Sequence, residues 1–142
     1  MAESEVAVVR RWFDEVWNQG REDLMEQMLT DDLRAHGINS GDDVMHGVEG
    51  FRAFYQAFRN TFPDAEFTIE EAVSEGDMVA TRWTVRMTHL GDAFAPATNK
   101  RLMVTGMTFW RIRENKIAEA WNNWEMMGML NAIGQTPHTK VL

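Results

Sequence analysis

The chain has 142 residues, 44% of them hydrophobic, and a formal net charge of -8; that is enough apolar mass for one domain, expected over residues 1–134, while the acidity and the lack of any Lys/Arg run argue against nucleic acid or an anionic membrane surface as partner. There is no cysteine, so no disulfide, thiolate metal site or thiol nucleophile is available and a cytoplasmic address is the default. The opening MAESEVAVVRR lacks the order of a signal peptide and no window reaches spanning length, so a soluble protein is expected.

Ser4 is a candidate N-cap, and Val6, Val9, Phe13, Val16 and Trp17 recur at helical spacing until Gly20, giving a first helix with one apolar face. Leu24, Met25, Met28 and Leu29 suggest a second, short helix, followed by the turn-prone Thr30-Asp31-Asp32 and a short strand over 33–36. Residues 37–43 read as loop. From Val48 the spacing of Phe51, Phe54, Tyr55, Phe58 and Phe62 predicts a third helix, ended by Pro63. The period then changes. Stretches 66–73, 78–89, 102–113 and 116–124, rich in β-branched and aromatic residues and separated by turn signals, predict four antiparallel strands. A last helix over 126–133 closes at Gly134, and 135–142 is expected to be a mobile tail. Helices first and hairpin-linked strands after is the order of an α+β fold with helices on one face of a sheet.

Alternation in the second strand puts Thr81, Trp83, Val85, Met87 and His89 on one face and Arg82 and Arg86 on the other, which marks the first set as inward. If the last hairpin turns through Glu114-Asn115-Lys116 with Asn115 left-handed, paired residues sum to 230. Arg111 then meets Glu119 outside and Thr108 meets Asn122 inside, on an inner face shared with Val104, Gly106, Trp110, Ala118, Ala120 and Trp124. Outside, Met107, Phe109 and Trp121 form an apolar row that suits a homodimer interface.

The segments His36, Gly47-Val48-Glu49-Gly50-Phe51, Phe62-Pro63-Asp64, 75–83 (EGDMVATRW), Thr88-His89-Leu90-Gly91, Pro96-Ala97-Thr98, Val104-Thr105-Gly106 and 116–121 (KIAEAW) together resemble the SnoaL-like polyketide cyclases of the nuclear transport factor 2-like superfamily. The resemblance covers nearly the whole chain. It implies a cone-shaped α+β barrel with helices over the concave face of a curved mixed or antiparallel sheet, usually homodimeric. In characterised members it implies a cofactor-free intramolecular aldol condensation of an aromatic polyketide, in which one group removes a proton beside a carbonyl and a dry pocket holds the enolate.

The resemblance also implies where the acid/base pair should be: an aspartate directly after the Trp of the final strand and a histidine fourteen positions earlier. Here those positions hold Asn122 and Thr108, which can hydrogen-bond an oxygen but are not general bases at neutral pH. His36, at the family's first-strand histidine position, becomes the candidate base near the pocket mouth. Glu125, four after Trp121, is the other carboxylate, or an acid at a helix N-terminus. Trp83, Met87, His89, Trp110 and Trp124 are the candidate substrate-binding residues. His46 and His138 are given no role, and no metal or cofactor is called for because no ligand spacing is present. A ketosteroid-isomerase type of site would need a tyrosine donor, and the sole tyrosine is Tyr55, on the third helix; a limonene-epoxide-hydrolase type would need inward Asp and Arg. The remaining expectation from another class is a non-catalytic module that binds a hydrophobic, polycyclic small molecule.

Overall fold

The computed structural model describes residues 4–38, 44–92 and 95–134; the tail at 135–142 and most of the 37–43 loop lie outside them. Helix α1 (Glu5–Arg11) begins at Ser4, whose hydroxyl accepts the Ala7 amide at 3.1 Å. It continues unbroken into a wider π-helical segment, Trp12–Asn18, where the Gln19 amide reaches back five residues to the Asp14 carbonyl. This widening buries the adjacent pairs Trp12-Phe13 and Val16-Trp17 together, and such segments occur frequently at functional sites. The Arg59 guanidinium donates to the Trp17 carbonyl at 2.8 Å, satisfying one of the groups a helix end leaves open.

A single turn, α2 (Met25–Met28), leads into β1 (Leu29–His36), which starts four residues before the sequence reading placed it. The turn-like Asp31 and Asp32 lie in the stretch where the β1 register is irregular and are exposed there. A three-residue strand, β2 (Val44–His46), pairs with β1; it is too short for alternation to reveal. Helix α3 (Gly47–Thr61) buries Phe51, Tyr55 and Phe58 and stops before Pro63. Strands β3 (Glu66–Glu75), β4 (Met78–Thr88), β5 (Arg101–Arg113) and β6 (Lys116–Trp124) and helix α4 (Met126–Ala132) follow, within two residues of the sequence reading.

The sheet is mixed, in the order β2-β1-β6-β5-β4-β3, with β1 and β6 parallel and every other pair antiparallel. It forms an open cone, and the helices pack across its inner face. The β5–β6 register pairs Arg111 with Glu119 and Thr108 with Asn122, as the sequence suggested, but by another route. Glu114 and Asn115 both have positive φ (52° and 63°), the mark of a two-residue mirror-image turn, and the register then shifts between Arg111 and Ile112. That bulge restores the 230 sum above it and corrects one residue: Ile117, not Ala118, faces the pocket.

Candidate functional site

The pocket lies between the helices and the inner face of the sheet. Trp12, Phe13 and Trp17 from the π-helical segment and Phe51, Phe54 and Phe58 from α3 form one wall. Opposite them are Leu29, Leu33, Ala35 and Ile38 from the first strand and its exit, and Phe67, Trp83 and Val85 from β3 and β4. Its floor is Thr108 and Trp110 from β5 with Ile117, Ala120, Asn122 and Trp124 from β6. The rings interlock: Phe13 meets Trp110 edge-on at 5.6 Å and Phe67 at 5.5 Å, and Trp17 contacts Phe58 at 5.3 Å and Phe67 at 5.1 Å. Such tilted and edge-to-face pairs favour a fixed wall over a fluid one. Among the described lining residues none is ionisable; Thr108 and Asn122 are the only non-aromatic polar ones.

Glycine decides the shape of the floor at two places. Gly106 is paired with Trp83, and a Cβ there would lie 2.2 Å from the Trp83 ring, so only glycine lets that ring cross β5. Gly37, at φ 76°, turns the chain so closely over β6 that a Cβ would sit 2.0 Å from the Asn122 carbonyl oxygen.

A directed chain of hydrogen bonds runs beneath the pocket. The Trp83 indole N–H donates to Thr108 Oγ1 at 3.0 Å, Thr108 Oγ1 donates to Asn122 Oδ1 at 2.9 Å, and Asn122 Nδ2 donates to the His36 carbonyl at 2.9 Å. Both ends fix its direction, since an indole N–H can only donate and a backbone carbonyl can only accept. Asn122 must therefore turn its amide nitrogen to His36 and its oxygen to Thr108. The Trp110 indole is held likewise, donating to Thr81 Oγ1 at 2.9 Å, and the Trp124 indole donates to the Gly37 carbonyl at 3.2 Å.

Of the residues singled out in the sequence, Asn122, Thr108, Trp83, Trp110 and Trp124 converge on this pocket. Three others do not, and each is a correction of place. His36 alternates with the inward Leu33 and Ala35, so its side chain lies on the outer face of the sheet. There its Nε2 is 2.6 Å from Glu119 Oε2 and its ring is stacked on Trp121, at 5.5 Å and 2° between planes. Met87 and His89 face inward but are fully buried in the core beyond the pocket lining. The His89 Nδ1 accepts the Thr98 amide at 3.2 Å, which leaves Nε2 as the ring's N–H, and that atom has no partner among the described residues.

The other candidates are also accounted for. Glu125 caps α4, accepting the Gly128 amide at 2.9 Å. The Tyr55 hydroxyl donates to the Val16 carbonyl at 2.7 Å, outside the pocket lining, and burial pushes its pKa up. No inward Asp or Arg is present among the described lining residues, which therefore do not themselves make up an isomerase-type or epoxide-hydrolase-type set. Among the described residues no group of three or more His, Asp or Glu is placed to hold a metal. Sequence reasoning missed Trp12 and Ile38 as lining, and it missed the two carbonyls that hold the floor. Backbone acceptors leave no signal in side-chain identity; the adjacent aromatics Trp12-Phe13 were the available hint.

The model of the SnoaL-like polyketide cyclase family matches residues 7–133. The chain belongs to that family. Among solved structures it is similar to a candidate SnoaL-like polyketide cyclase from Jannaschia sp. CCS1, at 22% identity with a TM-score of 0.84, covering 96% of this chain and 99% of that one. It is also similar to IdmH, a candidate polyketide cyclase from Streptomyces antibioticus, at 26% identity and TM-score 0.79, covering 93% and 99%. A third similar structure, AclR from Streptomyces galilaeus, is a candidate hydroxylase, at 21% identity and TM-score 0.80, covering 96% and 84%. No curated protein matches. A shared fold does not fix a chemistry, and function has to be argued from the pocket.

Proposed function

We propose that this SnoaL-like protein binds a hydrophobic, polycyclic small molecule between its helices and the inner face of its sheet, without itself supplying a base. The carrying observation is the aromatic pocket whose described lining holds no ionisable side chain and, apart from its indoles, only the neutral pair Asn122 and Thr108 as polar groups. Flat apolar ligands gain dispersion and lose unfavourable hydration against Trp83, Trp110 and Trp124, and a carbonyl on such a ligand can accept the second Asn122 N–H. Titration with a planar aromatic ketone such as anthraquinone should quench tryptophan emission saturably. An unaltered emission spectrum up to the solubility limit would remove the reading.

A second reading, cofactor-free cyclisation by aldol condensation, is favoured by one observation: Asn122 and Thr108 stand at the resemblance's acid/base positions and touch each other on the pocket floor. In it the free Asn122 N–H steadies a developing enolate oxygen, with Thr108 fixing the amide's orientation. Asn122→Asp should then raise turnover of an aromatic polyketide ester. The new carboxyl would face the His36 carbonyl, which favours its protonated form, so the gain should appear with a pH dependence shifted upward. A variant that folds and binds but shows no gain leaves the pure binding reading standing.

The protein is further proposed to be a cytoplasmic homodimer. Met107 and Phe109 are adjacent and exposed on the outer face of β5, with Met103 beyond Thr105 on the same face, and Arg111 and Trp121 lie next to them, so a second copy would bury an apolar row with polar groups among it. Among the described residues no helix is long and apolar enough to cross a membrane. Light scattering at micromolar concentration should give twice the chain mass, and Phe109→Glu should halve it.

A further inference from the structure

We infer that a second cleft, between the exit of the π-helical segment and α3, binds a small organic monocarboxylate on the Arg59 guanidinium. The cleft is lined by Gly20 and Glu22 and, from α3, by Tyr55, Gln56, Arg59 and Asn60. It shares no described lining residue with the aromatic pocket. About 530 Å³ of it is open to the centre of a water molecule. One water needs roughly 10–15 Å³ on that measure, so an organic anion fits together with part of its hydration.

Arg52, Gln56 and Arg59 follow one another along one flank of α3 at spacings of four and three, and charge is divided unequally among them. Arg52 takes three carboxylates, those of Glu22, Glu26 and Glu49. Both oxygens of Glu22 are in use, one by Arg52 at 3.2 Å and the other by Gln56 Nε2 at 3.0 Å. The carboxylate that lines the cleft is therefore already paired. Arg59 has no carboxylate at ion-pair distance among the described residues, in a chain with 22 acidic residues against 14 basic ones. Its charge is left for something outside the chain.

The guanidinium is also held in place. Its Nη1 donates to the Trp17 carbonyl at 2.8 Å, a neutral acceptor that fixes the group's plane without cancelling its charge. Gly20, at φ 71°, makes room for Nη2, since a Cβ there would lie 2.9 Å from it. A fork already fixed loses little freedom on binding and matches a planar carboxylate through two parallel N–H groups. Phosphate would fit the fork as well, and charge decides against it. A dianion would meet one free cation, the Glu22 carboxylate in the same lining and a net charge of -8. Gln56, whose amide nitrogen is turned to Glu22, keeps its oxygen as an acceptor for a hydroxyl carried by the acid.

Heteronuclear NMR titration of the full chain with lactate, its neutral analogue lactamide, and phosphate, at slightly alkaline pH and constant ionic strength, tests the assignment. Lactate should shift the backbone amide signals of Gly20, Glu22, Gln56 and Asn60 saturably, with a dissociation constant on the order of 10 mM. Lactamide should leave them unmoved, and phosphate should bind more weakly than lactate. Arg59→Gln should weaken lactate about tenfold or more, on the usual worth of hydrogen bonds to a charged group. Should that variant fail to fold without its bond to Trp17, Asn60→Asp puts a like charge into the cleft at an exposed position and should weaken lactate severalfold. Lactate shifts no larger than those produced by chloride, lactamide or phosphate binding as tightly as lactate, or an unchanged affinity in a folded variant would each overturn the assignment, and none of them bears on the aromatic pocket.

Discussion

On the inner face of β5 and β6 lie Thr108, Trp110, Ala120, Asn122 and Trp124, and on the outer face of the same two strands lie Met107, Phe109, Arg111, Glu119 and Trp121. Inside, every described polar group belongs to a neutral hydrogen-bond chain. Outside, Glu119 takes Arg34 at 3.1 Å and His36 at 2.6 Å, and Arg111 lies over the Trp121 ring at 5.6 Å. The strand pleat alone separates a site able to hold an uncharged oxygen from a surface able to hold and pair charge. His36 joins them: its side chain is bonded on the outer face, while its carbonyl holds Asn122 on the inner one. The residue types that suggest proton chemistry are thus in the molecule, on the side away from the pocket.

The largest effect on this contrast should come from Gly37→Ala. The added Cβ would collide with backbone at 2.0 Å in a left-handed conformation, and the two penalties together should cost about 3 kcal/mol or more. Thermal unfolding monitored by near-ultraviolet dichroism checks it; a melting temperature within a degree or two of the parent would show that β1 can move off β6 without disturbing the floor.

Next in size is Thr108→Val, which keeps the volume but orphans the buried Trp83 N–H and strips Asn122 Oδ1 of its donor. Leaving a buried donor unpaired costs about 1–3 kcal/mol, and denaturant unfolding should show a loss in that range. Thr108→Ser, which keeps the hydroxyl, should recover most of it. Smaller again is His36→Ala. Its side chain is 29% exposed and its partner Glu119 still has Arg34, so about 1 kcal/mol is expected. Ligand affinity should stay within twofold of the parent because the carbonyl that positions Asn122 remains. A large loss of binding would mean the two faces are coupled more tightly than the pleat implies.

Much of this was legible in the sequence, for unequal reasons. The four long strands have turn signals at both ends; the alternation of Arg82 and Arg86 with apolar residues places Trp83 inward, and the register of the last hairpin, with Arg111 opposite Glu119, places Thr108, Trp110 and Asn122 there. Short or irregular elements could not be placed in this way: β2 has three residues, and Asp31-Asp32 suit a turn as well as an irregular strand. His36 was misplaced for the same reason. A strand taken to begin at Leu33 is too short to show parity, whereas the full β1 sets Leu33 and Ala35 against Arg34 and His36. The depth of Met87 and His89 was also beyond alternation, which gives a side but not whether a ligand or the core lies on it.

The smallest expected effect lies at the end of β4, far from the floor, and it tests whether charge matters on the outside as it does not within. Asp64 accepts the Thr88 amide at 2.7 Å and the Thr88 hydroxyl at 2.6 Å. Partial burial pushes its pKa up, but the Thr88 hydrogen bonds and the nearby Arg101 together outweigh this, so the carboxyl sits below its ordinary value. A carboxylate depressed by folding stabilises the native state above its unfolded pKa, and that contribution is lost as the pH falls through the folded value. The parent should therefore lose a little stability below about pH 4, and Asp64→Asn should flatten that part of the profile. The group is mostly solvated, so only a fraction of a kcal/mol is expected. The neutral pocket adds no comparable step of its own, and ligand affinity measured above about pH 5 should stay level toward neutrality; a step in affinity in that range would require an ionisable group at the pocket that its described lining does not contain.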